Sequence, residues 1–262
     1  MALRPFFPGY QSHRPWHPLV EYAGWLRRLA GKKGAARRSN AVRARLERTG
    51  RPFMVFPLQL DCDYQIRTHS PFPGVEAAIR DVLGSFARHA PAELDLIVKG
   101  HPLDNGLRDW RAATLDIAAE LGVADRVMFL EDGNIDLLVR AARGVVTVNS
   151  TTGTLSAARG VPTISLGRAV YDIPGVTHQD GLDRFWTHPV APDPRVFDAL
   201  RRVLVHRCMI RGGFFSDEGL RMLVDGAVAR LEAAARPALR AAPAAAAAVL
   251  RADEPLLAAA KG

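Results

Sequence analysis

The chain has 262 residues, of which 48% are hydrophobic and 24% charged, and its formal net charge is +8 at pH 7. This length and composition support one large domain or two small ones and exclude a disordered chain. The sequence has no apolar run of about 18 or more residues and its first residues lack the apolar core of a signal peptide, so we expect a cytoplasmic protein. The two cysteines, Cys62 and Cys208, have neither disulfide-framework nor zinc-ligand spacing.

The positive charge is concentrated at the N-terminal end. Residues 1–52 carry 12 Lys and Arg side chains against two acids, and the remainder has a net charge of −2. Residues 18–29 and 40–48 have helical patterns, so we predict a basic helical segment over residues 1–51. The cations of residues 14–51 could contact an anionic membrane surface or a polyanionic glycan, or they could form a solvated helix face. We expect no nucleic acid partner, because no recognised nucleic-acid-binding motif accompanies the charge.

Residues 52–168 alternate short apolar runs with stretches of helical periodicity, which is the pattern of βα units. The predicted strands are residues 53–56, 94–98, 127–130, 145–148 and 163–166, and the predicted helices between them are residues 75–89, 107–121, 135–142 and 154–159. Gly122 and Gly160 are placed to end two of these helices. The pattern predicts an α/β fold with a Rossmann-like parallel sheet flanked by helices.

Two further helical patterns, at residues 194–207 and 217–235, follow this alternation. We therefore assign the Rossmann-like domain to residues 52–235 and an Ala/Pro-rich tail to residues 236–262.

The first predicted strand is followed by an unusually polar segment. Because ligands of open α/β sheets bind at the carboxyl ends of the strands, this segment is the first candidate site. On an extended backbone Asp61 and Asp63 would share a face. Alternatively, the two carboxylates would cap a strand-to-helix loop. The polar side chains of the segment are Gln59, Asp61, Asp63, Gln65, His69 and Ser70.

Two later segments fall on the same predicted edge of the sheet. After the second strand, Lys99 and His101 could meet an anionic ligand while Pro102 fixes the turn, or His101 could merely bond the backbone. After the fourth strand, the segment 149–154 precedes a helix predicted to begin near Thr154. Hydroxyls and exposed amides at a helix N-terminus form a phosphate cradle, although Ser and Thr are also ordinary caps. This segment supplies Asn149, Ser150, Thr151 and Gly153.

The loop after the fifth predicted strand contains glycines, hydroxyls and the aromatic residue Tyr171. Such a loop could wrap a nucleoside. The aromatic pair at residues 185–186 and the glycine pair at residues 212–213 are further candidates, but aromatic side chains near helices more often pack in a core.

Taken in order, these motifs resemble the capsule polysaccharide biosynthesis and export family. The resemblance covers residues 10–220 and rests on the Gln59, Asp63 and Gln65 pattern, on His69, on the His101-Pro102 pair, on the segment 149–151 and on the glycines and aromatics that follow. Members of this family are similar to retaining β-Kdo glycosyltransferases of Gram-negative bacteria. These enzymes have a GT-B arrangement and use CMP-Kdo to extend a lipid-linked acceptor at the cytoplasmic face of the inner membrane.

The resemblance implies roles for the candidate residues. Asp63 would be the nucleophile, with Asp61 as the competing choice, and Gln59 and Gln65 would hold the carboxylate or the sugar. His69 or Ser70 would assist proton transfer or bind the Kdo carboxylate. The donor phosphate would meet the cations and hydroxyls of the later motifs, and no cofactor or metal is implied. The residues assigned to the donor are Lys99, His101, Pro102, Asn149, Ser150, Thr151, Gly153 and Tyr171.

The same resemblance implies that residues 52–235 are the nucleotide-binding half of a GT-B enzyme and that residues 1–51 are a remnant of the first half. The implied partners are a nucleotide-sugar donor, a lipid-linked glycan acceptor and capsule assembly or export proteins, with peripheral attachment to the inner membrane. Two other functions stay open, namely a truncated, nonenzymatic assembly or export factor and a nucleotide-sugar epimerase.

Overall fold

The computed structural model of the protein describes residues 16–241, with side chains as far as residue 235. Its strands are β1 (Phe53–Pro57), β2 (Asp95–Lys99), β3 (Val127–Leu130), β4 (Gly144–Thr147) and β5 (Thr163–Ser165). Its helices are α1 (Pro18–Thr49), α2 (Tyr64–Arg67), α3 (Val75–His89), α4 (Trp110–Glu120), α5 (Ile135–Ala141), α6 (Thr151–Ala158), α7 (Leu182–Phe185), α8 (Pro194–Val203) and α9 (Asp217–Ala241). A π-helical turn, Leu204–Cys208, follows α8.

The five strands form one parallel sheet in the order β3-β2-β1-β4-β5. Helices cover both faces, so the strands are apolar along nearly their whole length, as buried parallel strands are. Met54 and Phe56 of β1 face the core shared with α3, α4 and α7, whereas Phe53 and Val55 face the core shared with α1, α5 and α6. The predicted Rossmann-like α/β fold is confirmed.

Helix α1 differs from its prediction, because one helix runs through the Gly31 and Gly34 region that was expected to separate two shorter ones. Contacts on both sides of the glycines attach the helix to the rest of the fold. Arg28 donates to the carbonyl of Asp104, and Ser39 accepts from the main chain of Asp132. The helix ends at Gly50, whose φ of 58° suits a residue without a side chain.

Two short helices, α2 and α7, were not predicted, since four residues carry too little periodicity to be recognised. Gly122 and Gly160 end α4 and α6 with φ values of 69° and 71°, as predicted. Within residues 16–241, none of the helices is both long and apolar enough to cross a membrane.

The described chain divides after Leu200, inside α8, into two compact units. The candidate site lies entirely in the first. The predicted boundaries at residues 51/52 and 235/236 stay predictions, and most of the predicted tail lies outside the described residues.

Candidate functional site

The predicted polar segments meet at the carboxyl edge of the sheet. Strands β1, β2 and β3 follow one another outward, and the chain then returns to place β4 on the other side of β1. The boundary between β1 and β4 is therefore the topological switch point, where ligands of doubly wound folds bind. The segments after β1, β2 and β4 end on this edge side by side, as the sequence predicted.

Asn149 ties the two sides of the switch point together. Its main-chain N–H donates to Gln59 Oε1 at 2.9 Å, and its Nδ2 donates to the carbonyls of Gln65 at 2.8 Å and His69 at 2.7 Å. Asn149 and Gln59 are both buried, whereas the side chains of Gln65 and His69 are exposed. The structure therefore uses Gln59 and Asn149 to hold the segment after β1 against β4.

Asp61 and Asp63 do not share a face of an extended segment, and that prediction is wrong. The main-chain N–H of Asp63 donates to the carbonyl of Leu60 at 2.9 Å, which closes a turn across the two carboxylates. Each aspartate then serves a different helix, as the capping alternative predicts.

The two carboxylates differ in how many of their oxygens are engaged. Asp63 Oδ1 accepts from the main chain of Gln65 at 2.9 Å at the start of α2. Asp61 Oδ1 accepts from the main chain of Val75 at 2.9 Å at the start of α3, and its Oδ2 lies 3.4 Å from Nη1 of Arg108. Both oxygens of Asp61 thus have a partner. Among the contacts of residues 16–241, only Oδ1 of Asp63 has one.

His101 is half-buried with one ring nitrogen committed. Its Nδ1 accepts from the main chain of Leu103 at 3.1 Å. Burial lowers the pKa of His101, and the nearby carboxylates of Asp104 and Asp63 oppose that shift in part. The neutral ring therefore carries its proton on Nε2, which can donate to a ligand.

Lys99 is buried, and its Nζ donates to the carbonyls of Gly100 at 2.9 Å and Glu131 at 3.4 Å. Burial lowers the pKa of Lys99, the charge of Asp132 opposes that effect, and Arg28 adds to it. The ammonium group thus stabilises the loop beside His101 rather than standing open at the edge.

Ser150 caps α6, which begins at Thr151 and not near Thr154. Its Oγ accepts from the main chain of Thr152 at 3.2 Å. The exposed Thr151 and the buried Gly153 consequently lie in the first helical turn rather than in a preceding loop. The N-terminus of an eight-residue helix remains at the edge, where its dipole favours an anion.

Tyr171 lies beneath this helix with only 3% of its surface exposed. Its hydroxyl donates to the carbonyl of Ser150 at 2.5 Å, and its ring covers Gly153 so closely that no Cβ would fit there. Burial raises the pKa of Tyr171. A ring in this position has no open face for a base, so its observed role is to support the first turn of α6.

A cavity of about 380 Å³ adjoins His101 and had not been predicted. The guanidinium of Arg28 lies 5.3 Å from the ring centre of Trp25, and that of Arg108 lies 4.9 Å from the ring centre of Trp110. In the sequence, the only indication of this cavity is that Asp104 and Trp110 follow closely after Pro102. The lining includes Trp25, Arg28, Lys32, His101, Asp104, Trp110, Arg111, Phe129, Glu131 and Asp132.

Comparison with known proteins gives consistent matches over most of the chain. The family model described as capsule polysaccharide biosynthesis protein matches residues 2–215. The capsule polysaccharide modification protein LipB of Neisseria meningitidis is 41% identical over 165 residues, which are 63% of this chain and 39% of LipB. The capsule polysaccharide export protein KpsS of Escherichia coli is 32% identical over 210 residues, which are 80% of this chain and 54% of KpsS.

The chain thus spans about half the length of these relatives or less. Among solved structures, the β-Kdo 2,7 transferase KpsC of Thermosulfurimonas dismutans has a TM-score of 0.38 and 22% identity, over 62% of this chain and 47% of KpsC. Anabaena HepE in complex with UDP and glucose has a TM-score of 0.39 and 14% identity, over 63% of this chain and 42% of HepE.

Proposed function

The chain belongs to the capsule polysaccharide biosynthesis protein family, and from this membership we propose that it carries the donor-binding part of a glycosyltransferase. The reaction is transfer of Kdo from CMP-Kdo to a lipid-linked acceptor, with retention of anomeric configuration, at the cytoplasmic face of the membrane. Capsule assembly or export proteins are its partners. The Kdo donor follows from the motifs that resemble this family.

The observation that carries the proposal is the meeting of Asp63, His101 and Ser150 at the ends of three adjacent strands. Asp63 lies close enough to His101 to influence its pKa. One carboxylate, one imidazole N–H donor and one helix N-terminus can together provide a nucleophile and electrostatic stabilisation of a departing phosphate without a metal.

The donor phosphate would lie between His101 and the start of α6. CMP leaves as a phosphate monoester that gains negative charge as its bond to the anomeric carbon breaks. The Nε2–H of His101 and the main-chain N–H of Thr151 can donate to its oxygens, which lowers the barrier because donors and dipole are already in place. The cavity beside His101, walled by Trp25 and Trp110, would receive the nucleoside.

Asp63 would attack the anomeric carbon through Oδ2. The new C–O bond replaces the bond to phosphate, and CMP departs with the electron pair. The acceptor hydroxyl then attacks the same carbon, Asp63 is released, and the hydroxyl proton passes to a base, for which His69 is the candidate. Two inversions give net retention. The hydrogen bond from Gln65 to Oδ1 fixes the carboxylate while the attack proceeds.

Titration calorimetry with CMP tests the donor site directly. His101→Ala should weaken CMP binding about tenfold or more, because hydrogen bonds to charged groups contribute about 1.5–3 kcal/mol. The matched control is His188→Ala, since His188 is exposed and its ring contacts Thr187 in a different part of the fold. Equal CMP affinity in the wild type and His101→Ala would refute the assignment of the phosphate.

The chemical step is tested with CMP-Kdo and a lipid-linked acceptor by following CMP release. Asp63→Asn should bind CMP normally and release none from CMP-Kdo. Intact mass measured after donor addition should show a Kdo adduct on the wild type and on Asp61→Ala but not on Asp63→Asn. An adduct that survives in Asp63→Asn would disprove Asp63 as the nucleophile.

A second candidate is a nonenzymatic capsule assembly or export factor that binds nucleotide without turnover. The observation in its favour is that Asp61 and Asp63 both hold helix N-termini, which explains both carboxylates without chemistry. Binding of CMP-Kdo with neither adduct nor CMP release would support this function over transfer.

A further inference from the structure

Helix α1 carries an exposed apolar stripe on the face turned away from the sheet. Leu19, Tyr22, Leu26 and Leu29 follow one another at intervals of three, four and three residues, which places them on one side of the helix. Their exposed fractions are 70%, 67%, 70% and 68%. Four large apolar side chains side by side in solvent form a patch of the kind that marks an interaction site.

The opposite face of α1 is the one that packs on the protein. Gly24 lies against the carbonyl of Asn105 and the side chain of Leu107, and further along the helix Val42 and Leu46 pack on the core beneath the sheet. Because α1 packs through that face, the apolar stripe points away from the part of the fold that α1 contacts. Within residues 16–235 nothing covers it.

Cations continue the stripe toward the C-terminal end of α1. Lys33 and Arg37 lie four and eight residues beyond Leu29, on the same side of the helix, and both are exposed. Between Glu21 and Glu47 the sequence contains no acidic residue. Between these two acids, the charged side chains of α1 itself are therefore all cationic.

Many of the other cations of α1 are occupied within the protein. The guanidinium groups of Arg27, Arg28 and Arg45 bind carbonyls of loops after β2 and α4, and Arg38 pairs with Glu131. A partner would therefore meet fewer free cations than the net charge of the segment suggests. Lys33 and Arg37 have no such contact among the described residues and are exposed on the side of the stripe, whereas Lys32 lines the cavity beside His101.

We propose that this face of α1 binds an anionic lipid bilayer, with the helix lying parallel to the surface. The stripe enters the boundary between headgroups and acyl chains, while Lys33 and Arg37 meet the lipid phosphates. A second copy of the chain is the poorer occupant, because pairing two such faces would bring their cations together without any acid between them. The proposal does not depend on glycosyl transfer, and its test uses no donor or acceptor.

The test is sedimentation of the purified 262-residue chain with vesicles of phosphatidylcholine, with and without phosphatidylglycerol. The chain should bind the anionic vesicles at low salt and less at high salt, since ions screen the lipid phosphates. Leu26→Glu with Leu29→Glu should reduce binding at least about tenfold, because two leucines no longer leave water. Leu137→Glu, at a position 65% exposed on α5, is the matched control and should bind as the wild type does.

Lys33→Gln with Arg37→Gln should weaken binding to anionic vesicles about 25-fold at low salt, as each cation near such a surface contributes about fivefold. Circular dichroism confirms that the variants fold, and Leu26→Ser with Leu29→Ser replaces the glutamate pair if it does not. Absence of binding at low salt, or equal binding by the stripe variant, would overturn the proposal. A dimer in analytical ultracentrifugation that the stripe variant abolishes, without vesicle binding, would assign the face to a second copy instead.

Discussion

The contact between Gly153 and Tyr171 predicts that the effect of Gly153→Ala on stability changes sign when Tyr171 is replaced. Gly153 lies in the first turn of α6, and a Cβ added there would collide with the ring and hydroxyl of Tyr171. The ring cannot retreat freely, because it is 3% exposed and its hydroxyl donates to Ser150 at 2.5 Å. Gly153→Ala should therefore destabilise the protein, although alanine is normally the better helix residue.

The expected change in the free energy of unfolding is the balance between the helix preference of alanine and the cost of the collision. Replacing glycine by alanine in a helix favours folding by about 0.5–1 kcal/mol. Overpacking a filled core costs about 1–3 kcal/mol, and displacing the tyrosine hydroxyl from its acceptor adds about 0.5–1.5 kcal/mol. We expect a net loss of about 1–3 kcal/mol in the free energy of unfolding for Gly153→Ala, after the helix preference has offset part of the cost.

The sign should reverse when the ring is removed. Tyr171→Val keeps an apolar side chain but has none of the ring atoms that meet the new Cβ. In that background Gly153→Ala should stabilise by about 0.5–1 kcal/mol, so the two sites should show a coupling energy of about 2–3 kcal/mol. Urea unfolding of the four proteins, followed by far-ultraviolet circular dichroism, measures it.

Two results would refute this reasoning. One is a wild-type stability for Gly153→Ala alone, and the other is the same loss with and without Tyr171. The CMP affinity of the double variant tests the role of Gly153 in the site. If it equals the affinity of Tyr171→Val, Gly153 serves packing. A further loss of affinity would mean that the donor phosphate approaches Gly153 closely, as the sequence predicted.

Three further substitutions test the edge of the sheet. The free energy of unfolding of Lys99→Met minus that of the wild type should fall as the pH rises from the lowered pKa of Lys99 toward the usual value of 10.5, because the native wild type sheds its proton before the unfolded state does. Loss of the bonds to the carbonyls of Gly100 and Glu131 lowers the difference at every pH; urea unfolding across that range measures the trend. Asn149→Asp should cost about 1–3 kcal/mol at neutral pH, since an oxygen would replace the donor facing the carbonyls of Gln65 and His69, and wild-type stability in urea would contradict it. Asp61→Ala should cost about 0.5–2 kcal/mol by removing the cap of α3, which a lowered melting temperature would show.

Sequence reasoning succeeded where a signal repeats along the chain. Each strand is a short apolar run between polar turns, and β3 and α3 match their predicted limits because both are bounded by abrupt changes of polarity. Helix α1 was missed as a single element, since Gly31 and Gly34 lower helix propensity and only distant contacts compensate for them. Propensity is local, and those contacts join residues far apart in the sequence.

The sequence predicted which segments meet at the carboxyl edge of the sheet, but not the contacts among them. Strand ends predict which segments meet, so Asp63, His101 and Ser150 could be placed on one edge. The bond from Asn149 to Gln59 could not be predicted, because it joins residues 90 positions apart through an ordinary amide. The cavity beside His101 was missed for a similar reason, since its wall combines α1 with α4.

The capping contacts also rank the two candidate nucleophiles, which the sequence left open. A carboxylate oxygen that carries no hydrogen bond or ion pair is the better nucleophile, because each such contact withdraws electron density from it. Asp61 has both oxygens engaged, by the main chain of Val75 and by Arg108, and its release would uncap α3. Asp63 has one oxygen held by Gln65, which orients the group, and a second that can approach a donor beside His101. If transfer occurs at this edge, a cap that leaves one oxygen open positions the nucleophile, so the capping role and the chemical role of Asp63 support each other.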